Sequence, residues 1–174
     1  MAYFYFDSSI QREQSAVRVL GALLKQVVGG FTQIPETILD AFRRHKKFVG
    51  GRKLQLSEMV KILGSLSSSQ RTFFCLDAVD ECAAPDRAKI LLSLRDIIEA
   101  SSTSRVFLTG RPHVDGEVGK RLLGGVAPVL ISPPKDDIVQ FIHTKLAEDT
   151  ALDEMDEKLK AEIVEKIPET FSDM

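Results

Sequence analysis

Thr72-Phe73-Phe74-Cys75-Leu76 is a short, continuous apolar run that ends in acid, at Asp77-Ala78-Val79-Asp80-Glu81. Such a run fits a strand buried on both faces of a parallel sheet, so the first carboxylate emerges where the strand leaves the core. A carboxylate there can hold Mg²⁺ directly or through water, because Mg²⁺ prefers oxygen ligands and keeps several of its waters. A second acid a few residues on can orient or activate an attacking water. This is the layout of a Walker B strand. Taken alone, the same residues also fit a buried strand followed by a helix-capping turn. Asp80, Glu81 and Asp86 lie close to the start of the next helical pattern, where negative charge is favourable in any case.

About thirty residues further on, after one helical pattern, a second apolar run, Val106-Phe107-Leu108-Thr109, ends at Gly110-Arg111-Pro112. In a nucleotide-binding sheet the strand beside the acidic one often presents a polar or basic group to the γ-phosphate. Arg111 has the forked donor set for that, and Thr109 has a hydroxyl that can orient water. Without the acidic neighbour, Arg111 reads as a surface arginine in a turn set by Pro112.

The elements that must carry these residues follow from periodicity. Tyr3 to Phe6 reads as an aromatic strand, and Asp7-Ser8-Ser9 supplies N-cap oxygens for a helix. Ala16, Val17, Leu20, Leu23, Leu24 and Val27 mark that helix, which Gly29-Gly30 ends. Pro35 starts a second helix that closes in the cations Arg43-Arg44-His45-Lys46-Lys47, and Phe48 to Lys53 reads as a loop. Ser57 caps a third helix carrying Met59, Val60, Ile62, Leu63 and Leu66, and Ser65 to Gln70 reads as a polar linker. After the acidic strand, Pro85 opens a helix bearing Ile90, Leu91, Leu94, Ile97 and Ile98. A short helix is expected near Gly116 to Leu123, and a further strand from Val126 to Ile131, stopped by Pro133-Pro134. Two more helices follow, one with Ile138, Phe141, Ile142 and Leu146, the other with Leu159, Ile163, Val164 and Ile167, ending near Pro168.

Short apolar strands alternating with longer helices predict an α/β fold with a mainly parallel sheet and a more helical last third. Such sheets bind ligands beyond the carboxyl ends of their strands, so the chemistry is expected at residues 77–81 and 109–111. The chain has 174 residues, 44% hydrophobic and 28% charged, with a net charge of −2. That is an ordinary globular balance with no basic field to support nucleic-acid binding. No apolar run approaches the roughly 20 residues that span a bilayer. The two cysteines, Cys75 and Cys82, make neither a disulfide framework nor a zinc site, which points to a reducing, cytoplasmic setting. Cys82 follows the acids directly, and nearby negative charge suppresses its thiolate. His45, His113 and His143 are scattered, without a triad partner or zinc spacing.

Leu76-Asp77-Ala78-Val79-Asp80-Glu81-Cys82 together with Leu108-Thr109-Gly110-Arg111-Pro112 resembles the NACHT domain of STAND-class signalling NTPases. The likeness is to the fungal versions with nephrocystin-like N-terminal domains, whose recurrent wording is LDALDEC and TSRP. Tyr3 to Asp7 resembles the strand after the P-loop helix, and Asp137-Ile138-Val139-Gln140-Phe141-Ile142 resembles the segment after the last strand of the sheet. The resemblance implies that Asp77 is the Mg²⁺ ligand, that Asp80 and Glu81 position the attacking water, and that Arg111 with Thr109 senses the γ-phosphate of ATP. Gly110 stands where the family usually has serine.

One departure is larger. A Walker A loop, G-x-x-x-x-G-K-[ST], cradles phosphates with backbone amides and neutralises them with lysine. Gly50-Gly51-Arg52-Lys53 has the wrong spacing, and Gly116-Glu117-Val118-Gly119-Lys120 is followed by Arg121 and preceded by Val114 where the first glycine belongs. By the resemblance, the chain starts just after the P-loop and its strand, and stops before a winged-helix region. The expected architecture is therefore a partial P-loop NTPase-like three-layer sandwich lacking the P-loop strand. Residues 1–133 would form the incomplete α/β core and residues 134–174 a helical segment. Two functions compete. One is part of an ATP-driven, oligomerising switch that is inactive alone. The other is a non-catalytic module that associates with protein partners or itself, and with neither nucleic acid nor membrane. An unrelated Mg²⁺-dependent hydrolase lacks a second metal-ligand cluster.

Overall fold

The computed structural model describes residues 1–36, 38–40, 43, 54–123, 125–148 and 155–172. Most of the expected basic cluster at 43–47 and the loop at 48–53 lie outside them. The chain divides into two compact units, Met1–Val126 and Ala127–Met174.

The first unit is built on three parallel strands, β1 (Ala2–Tyr5), β2 (Thr72–Asp77) and β3 (Ser104–Leu108), in the order β1-β2-β3. Parallel neighbours need crossover connections. Helices α1 (Ala16–Gly29) and α2 (Leu56–Ser69) lie between β1 and β2, and α3 (Ala84–Ala100) lies between β2 and β3. A short helix, α4 (Asp115–Arg121), follows β3. The register pairs Tyr5 with Asp77 and Leu76 with Leu108, so all three strands end at one level. This is the α/β class with a parallel sheet that the alternating pattern predicts.

The alternation of each strand decides its faces. Ala2, Phe6, Phe74 and Leu76 are buried, and they join Leu20, Leu23, Leu63, Leu94 and Ile97 of the mutually packed helices α1, α2 and α3 in one core. The opposite face carries Tyr3, Tyr5, Phe73, Cys75 and Phe107, of which Tyr3, Tyr5 and Phe107 are 47%, 65% and 59% exposed. One helix layer and the sheet are thus present, as in a partial sandwich. The outer edge of β1 is blocked at its middle, where the Gln26 side chain donates to Tyr3 O at 2.8 Å and accepts from Tyr3 N at 3.0 Å. Among the described residues, β3 has no strand on its outer side.

Several expectations are corrected. Val126 to Ile131 forms no strand, and Val129, Leu130 and Ile131 are more than three-quarters exposed. A strand needs a neighbour's N–H and C=O groups, and no described strand pairs with this segment. Asp7 caps a 3₁₀ turn, Ser8–Glu13, instead of a long helix. Helix α1 starts later, at Ala16, whose N–H is accepted by Asp86 of α3 at 3.0 Å. Gln55, not Ser57, is the N-cap of α2, with the Glu58 carboxylate accepting the Gln55 N–H at 2.8 Å. Residues Ser65–Ser69 continue α2 instead of forming a linker, because the Ser68 and Ser69 hydroxyls bond back to Gly64 O and Leu66 O inside the helix. The second unit is a pair of packed helices, α5 (Lys135–Glu148) and α6 (Glu157–Ser172). Helix α6 runs through Pro168, which is buried within it, instead of ending there.

Candidate functional site

The carboxyl ends of β2 and β3 bring the expected residues together. Asp77 is the last residue of β2, and Thr109 follows β3 directly in the neighbouring position. The Thr109 hydroxyl donates to Asp77 Oδ1, and it also accepts the Ala78 N–H at 2.9 Å. Two backbone bonds knit the same level, Thr109 N to Leu76 O at 3.0 Å and Val79 N to Thr109 O at 2.9 Å. Between them Ala78 is held at φ 55°, ψ 47°, a left-handed conformation that costs a residue with a Cβ roughly 1–2 kcal/mol. The bonds on either side of Ala78 hold it there. They turn the chain sharply after Asp77, so that the acid stands exposed at the sheet's rim.

Asp80 and Glu81 lie in the 3₁₀ turn Val79–Glu81. The Asp80 side chain is only 8% exposed. Its Oδ1 accepts the Arg111 N–H at 3.2 Å, and its Oδ2 lies 3.5 Å from Arg111 Nε. The Arg111 side chain as a whole is 77% exposed. Glu81 faces the other way: its Oε2 accepts the Ser8 N–H at 2.8 Å, while its carbonyl accepts from the Gln11 side chain at 2.8 Å. The acidic turn therefore holds the loop after β1 on one side and the arginine turn on the other. Asp7 stabilises the first of these loops. Its carboxyl is held below the ordinary value by the Ser9 hydroxyl and by the Ser9 N–H.

Gly110 has a packing reason. A Cβ there would stand 3.0 Å from Val79 Cγ2, 3.2 Å from Val114 Cγ2 and 3.3 Å from Asp80 Oδ1. The absent side chain lets the acidic turn and the arginine turn approach closely, which the expected serine would oppose.

Sequence reasoning missed a cluster behind the acidic turn. Arg87 Nη1 donates to Cys82 O at 2.9 Å and reaches Asp80 O at 3.4 Å, while Arg87 Nε donates to Glu117 Oε2 at 2.8 Å. Arg121 Nε donates to the other oxygen of Glu117 at 2.9 Å. Partial burial raises the Glu117 carboxyl, but the bonds and charges of the two arginines outweigh it and leave the group below its usual value. A signal was present: Arg87 is a cation in the first turn of α3, where the helix dipole disfavours it.

Cys82 is buried, and its thiol is pushed up to about 11, first by burial and then by the charge of Asp86. Burial, more than neighbouring acid, keeps it un-ionised. His113 and His143 are both exposed. Among the described residues no group of three or more His, Cys, Asp or Glu could enclose a metal. The donor set fits Mg²⁺ held by the one exposed carboxylate of Asp77 with water and phosphate supplying the remaining oxygens, which is how Mg²⁺ is commonly bound. It does not fit an all-protein cage.

A family model described as nephrocystin 3, N-terminal, matches residues 1–111. That span takes in β1, the acidic turn and Arg111. No curated protein and no solved structure gives a significant match.

Two outcomes test this geometry. Gly110→Ser should destabilise the fold by about 1 kcal/mol, an overpacking cost, seen as a lower urea midpoint; a raised midpoint would mean that the two turns are not in close contact. Stability should also fall as pH rises from about 9 towards about 11. The unfolded thiol of Cys82 ionises near 9.0 whereas the buried thiol resists until about 11. Urea melts of wild type and Cys82→Ala across that window measure it, and the variant should lose less stability than the wild type.

Proposed function

The chain belongs to the nephrocystin 3 N-terminal family, and from that premise we propose that it is a segment of a NACHT-type, STAND-class nucleoside-triphosphate switch. In this reading it contributes the metal-binding acid and the γ-phosphate sensor. The observation that supports it is the meeting of Asp77 with Thr109 and of Asp80 with Arg111 across adjacent parallel strand ends. That is where open α/β sheets bind their ligands.

Each residue then has a task. Asp77, oriented by the Thr109 hydroxyl, would hold Mg²⁺, and when bound the ion would offset the charge of ATP phosphates. Asp80 anchors Arg111 by its backbone N–H and its Nε, leaving the exposed end of the guanidinium to meet a phosphate as a bidentate donor. Glu81 completes the acidic pair that positions water. Its carboxylate already ties down the Ser8 N–H, so its position is fixed by the loop after β1. None of the 174 residues supplies a G-x-x-x-x-G-K-[ST] cradle. Hence this chain should hold nucleotide weakly and should not hydrolyse it alone. A cytoplasmic setting goes with this reading, supported by two cysteines that are both free thiols.

A second reading, a non-catalytic module that binds protein or a second copy of itself, is favoured by the exposed aromatic face and by the edge of β3 that is open among the described residues. Neither nucleic acid nor a membrane is a partner in either reading. The pI of about 6.0 gives no basic field for nucleic acid, and no described helix is long and apolar enough to cross a bilayer.

Calorimetry with Mg-ATP and Mg-ADP, with Asp77→Ala alongside, tests the first reading. We expect no binding tighter than about millimolar, a limit of roughly 4 kcal/mol. Micromolar binding abolished by Asp77→Ala would show that another loop supplies the phosphate cradle. Micromolar binding unaffected by Asp77→Ala would place the nucleotide elsewhere and sink the site assignment. Sedimentation velocity tests the second reading: self-association that Phe107→Glu weakens roughly tenfold or more supports it, since such a loss corresponds to removing an anchoring contact. A monomer at every concentration removes the self-association form of it.

A further inference from the structure

We infer that Arg87 is a positioning residue for the acid–arginine pair, closing a ring of polar contacts that sets Arg111 in place relative to Asp80. The inference rests on the reading of that pair as the phosphate-facing end of the site.

The ring can be traced residue by residue. The Asp80 carboxylate holds the Arg111 backbone N–H at 3.2 Å and lies 3.5 Å from Nε. From Arg111 the chain passes through the 3₁₀ turn Pro112–Val114 straight into α4, which carries Glu117. Glu117 accepts from Arg87 Nε at 2.8 Å, and Arg87 Nη1 returns to the acidic turn, at 2.9 Å from Cys82 O and 3.4 Å from Asp80 O. The two turns are thus fixed to each other twice, directly through a carboxylate and indirectly through α3 and α4.

Three features separate this arrangement from an ordinary surface ion pair. Arg87 and Glu117 are 14% and 24% exposed, so solvent screens them poorly. The guanidinium uses two different nitrogens for two different elements, which lysine cannot reproduce with its single point of charge. Both Glu117 oxygens are engaged, Oε2 by Arg87 and Oε1 by Arg121, so the carboxylate cannot rotate without breaking a bond. Gly110 removes the side chain that would otherwise hold the two turns apart. The hydrogen bonds of Arg87 go to Glu117, Asp80 O and Cys82 O. Its effect on a phosphate would pass through the acidic turn and Arg111.

Amide hydrogen exchange of the whole chain, read residue by residue by NMR, tests this without any nucleotide. The Arg111 N–H has the Asp80 carboxylate as its acceptor, so its exchange reports the contact itself. In Arg87→Met, which keeps the apolar stem, Arg111 exchange should rise roughly tenfold, the factor for losing one charge-assisted hydrogen bond, while the β2 amides stay unchanged. Arg87→Lys should recover part of the protection. If Arg111 and the β2 amides speed up together, Arg87 stabilises the fold in general and the inference is wrong. It is equally wrong if Arg111 exchange does not change. Should Arg87→Met fail to fold, Glu117→Gln weakens the α4 end of the ring only and must show the same selective increase. Micromolar Mg-ATP binding unaffected by Asp77→Ala would sink the phosphate reading and leave this exchange result standing, so the two failures are distinguishable.

Discussion

The register of β2 against β3 is the constraint on which the rest of the first unit depends. β2 is paired on both sides, and Leu76 lies opposite Leu108. Because the strands are parallel, their carboxyl ends coincide, and the residues just beyond them are forced into the same small region. Asp77 meets Thr109 for that reason alone. A slip of one residue would turn every side chain of β3 to the opposite face. It would remove Val106 and Leu108 from contact with the core and carry Thr109 away from the acid.

The site is held by backbone groups more than by side-chain pairs. Ala78 in its left-handed turn, Val79 N on Thr109 O, Arg111 N on the Asp80 carboxylate and Ser8 N on the Glu81 carboxylate each engage a main-chain group. The acids of the motif therefore have two separate tasks. Asp80 and Glu81 organise the loops on either side, and Asp77 alone points outward with its partner hydroxyl. An acidic turn of this kind is a structural hub.

Much of this was legible in the sequence. β2 and β3 are continuous apolar runs, and their ends announce the site through the change from apolar to acidic or to Gly-Arg-Pro. The sequence also shows Asp77, Thr109 and Arg111 at strand ends, where topology must gather them. What escaped was non-local. Val126 to Ile131 has the composition of a strand, but composition cannot supply the neighbouring edge that a strand needs. Asp86 caps a helix seventy positions earlier in the chain, which no local cap rule can detect. The Arg87–Glu117 contact joins residues thirty positions apart, and its only local trace is a cation in a helix's first turn. The serine-rich end of α2 looked like a linker because hydroxyls favour loops. Here they bond back into the helix instead.

The Gln26 amide lying along the outer edge of β1 has a consequence for how this unit can associate. It imitates a passing strand, giving Tyr3 a donor and an acceptor. That leaves the sheet, among the described residues, with one blocked margin and one open margin. Units with two open margins can add to each other without end, as fibres do. A unit with one open margin is a terminator: edge-to-edge joining of two copies uses up both free margins, and growth stops at the pair.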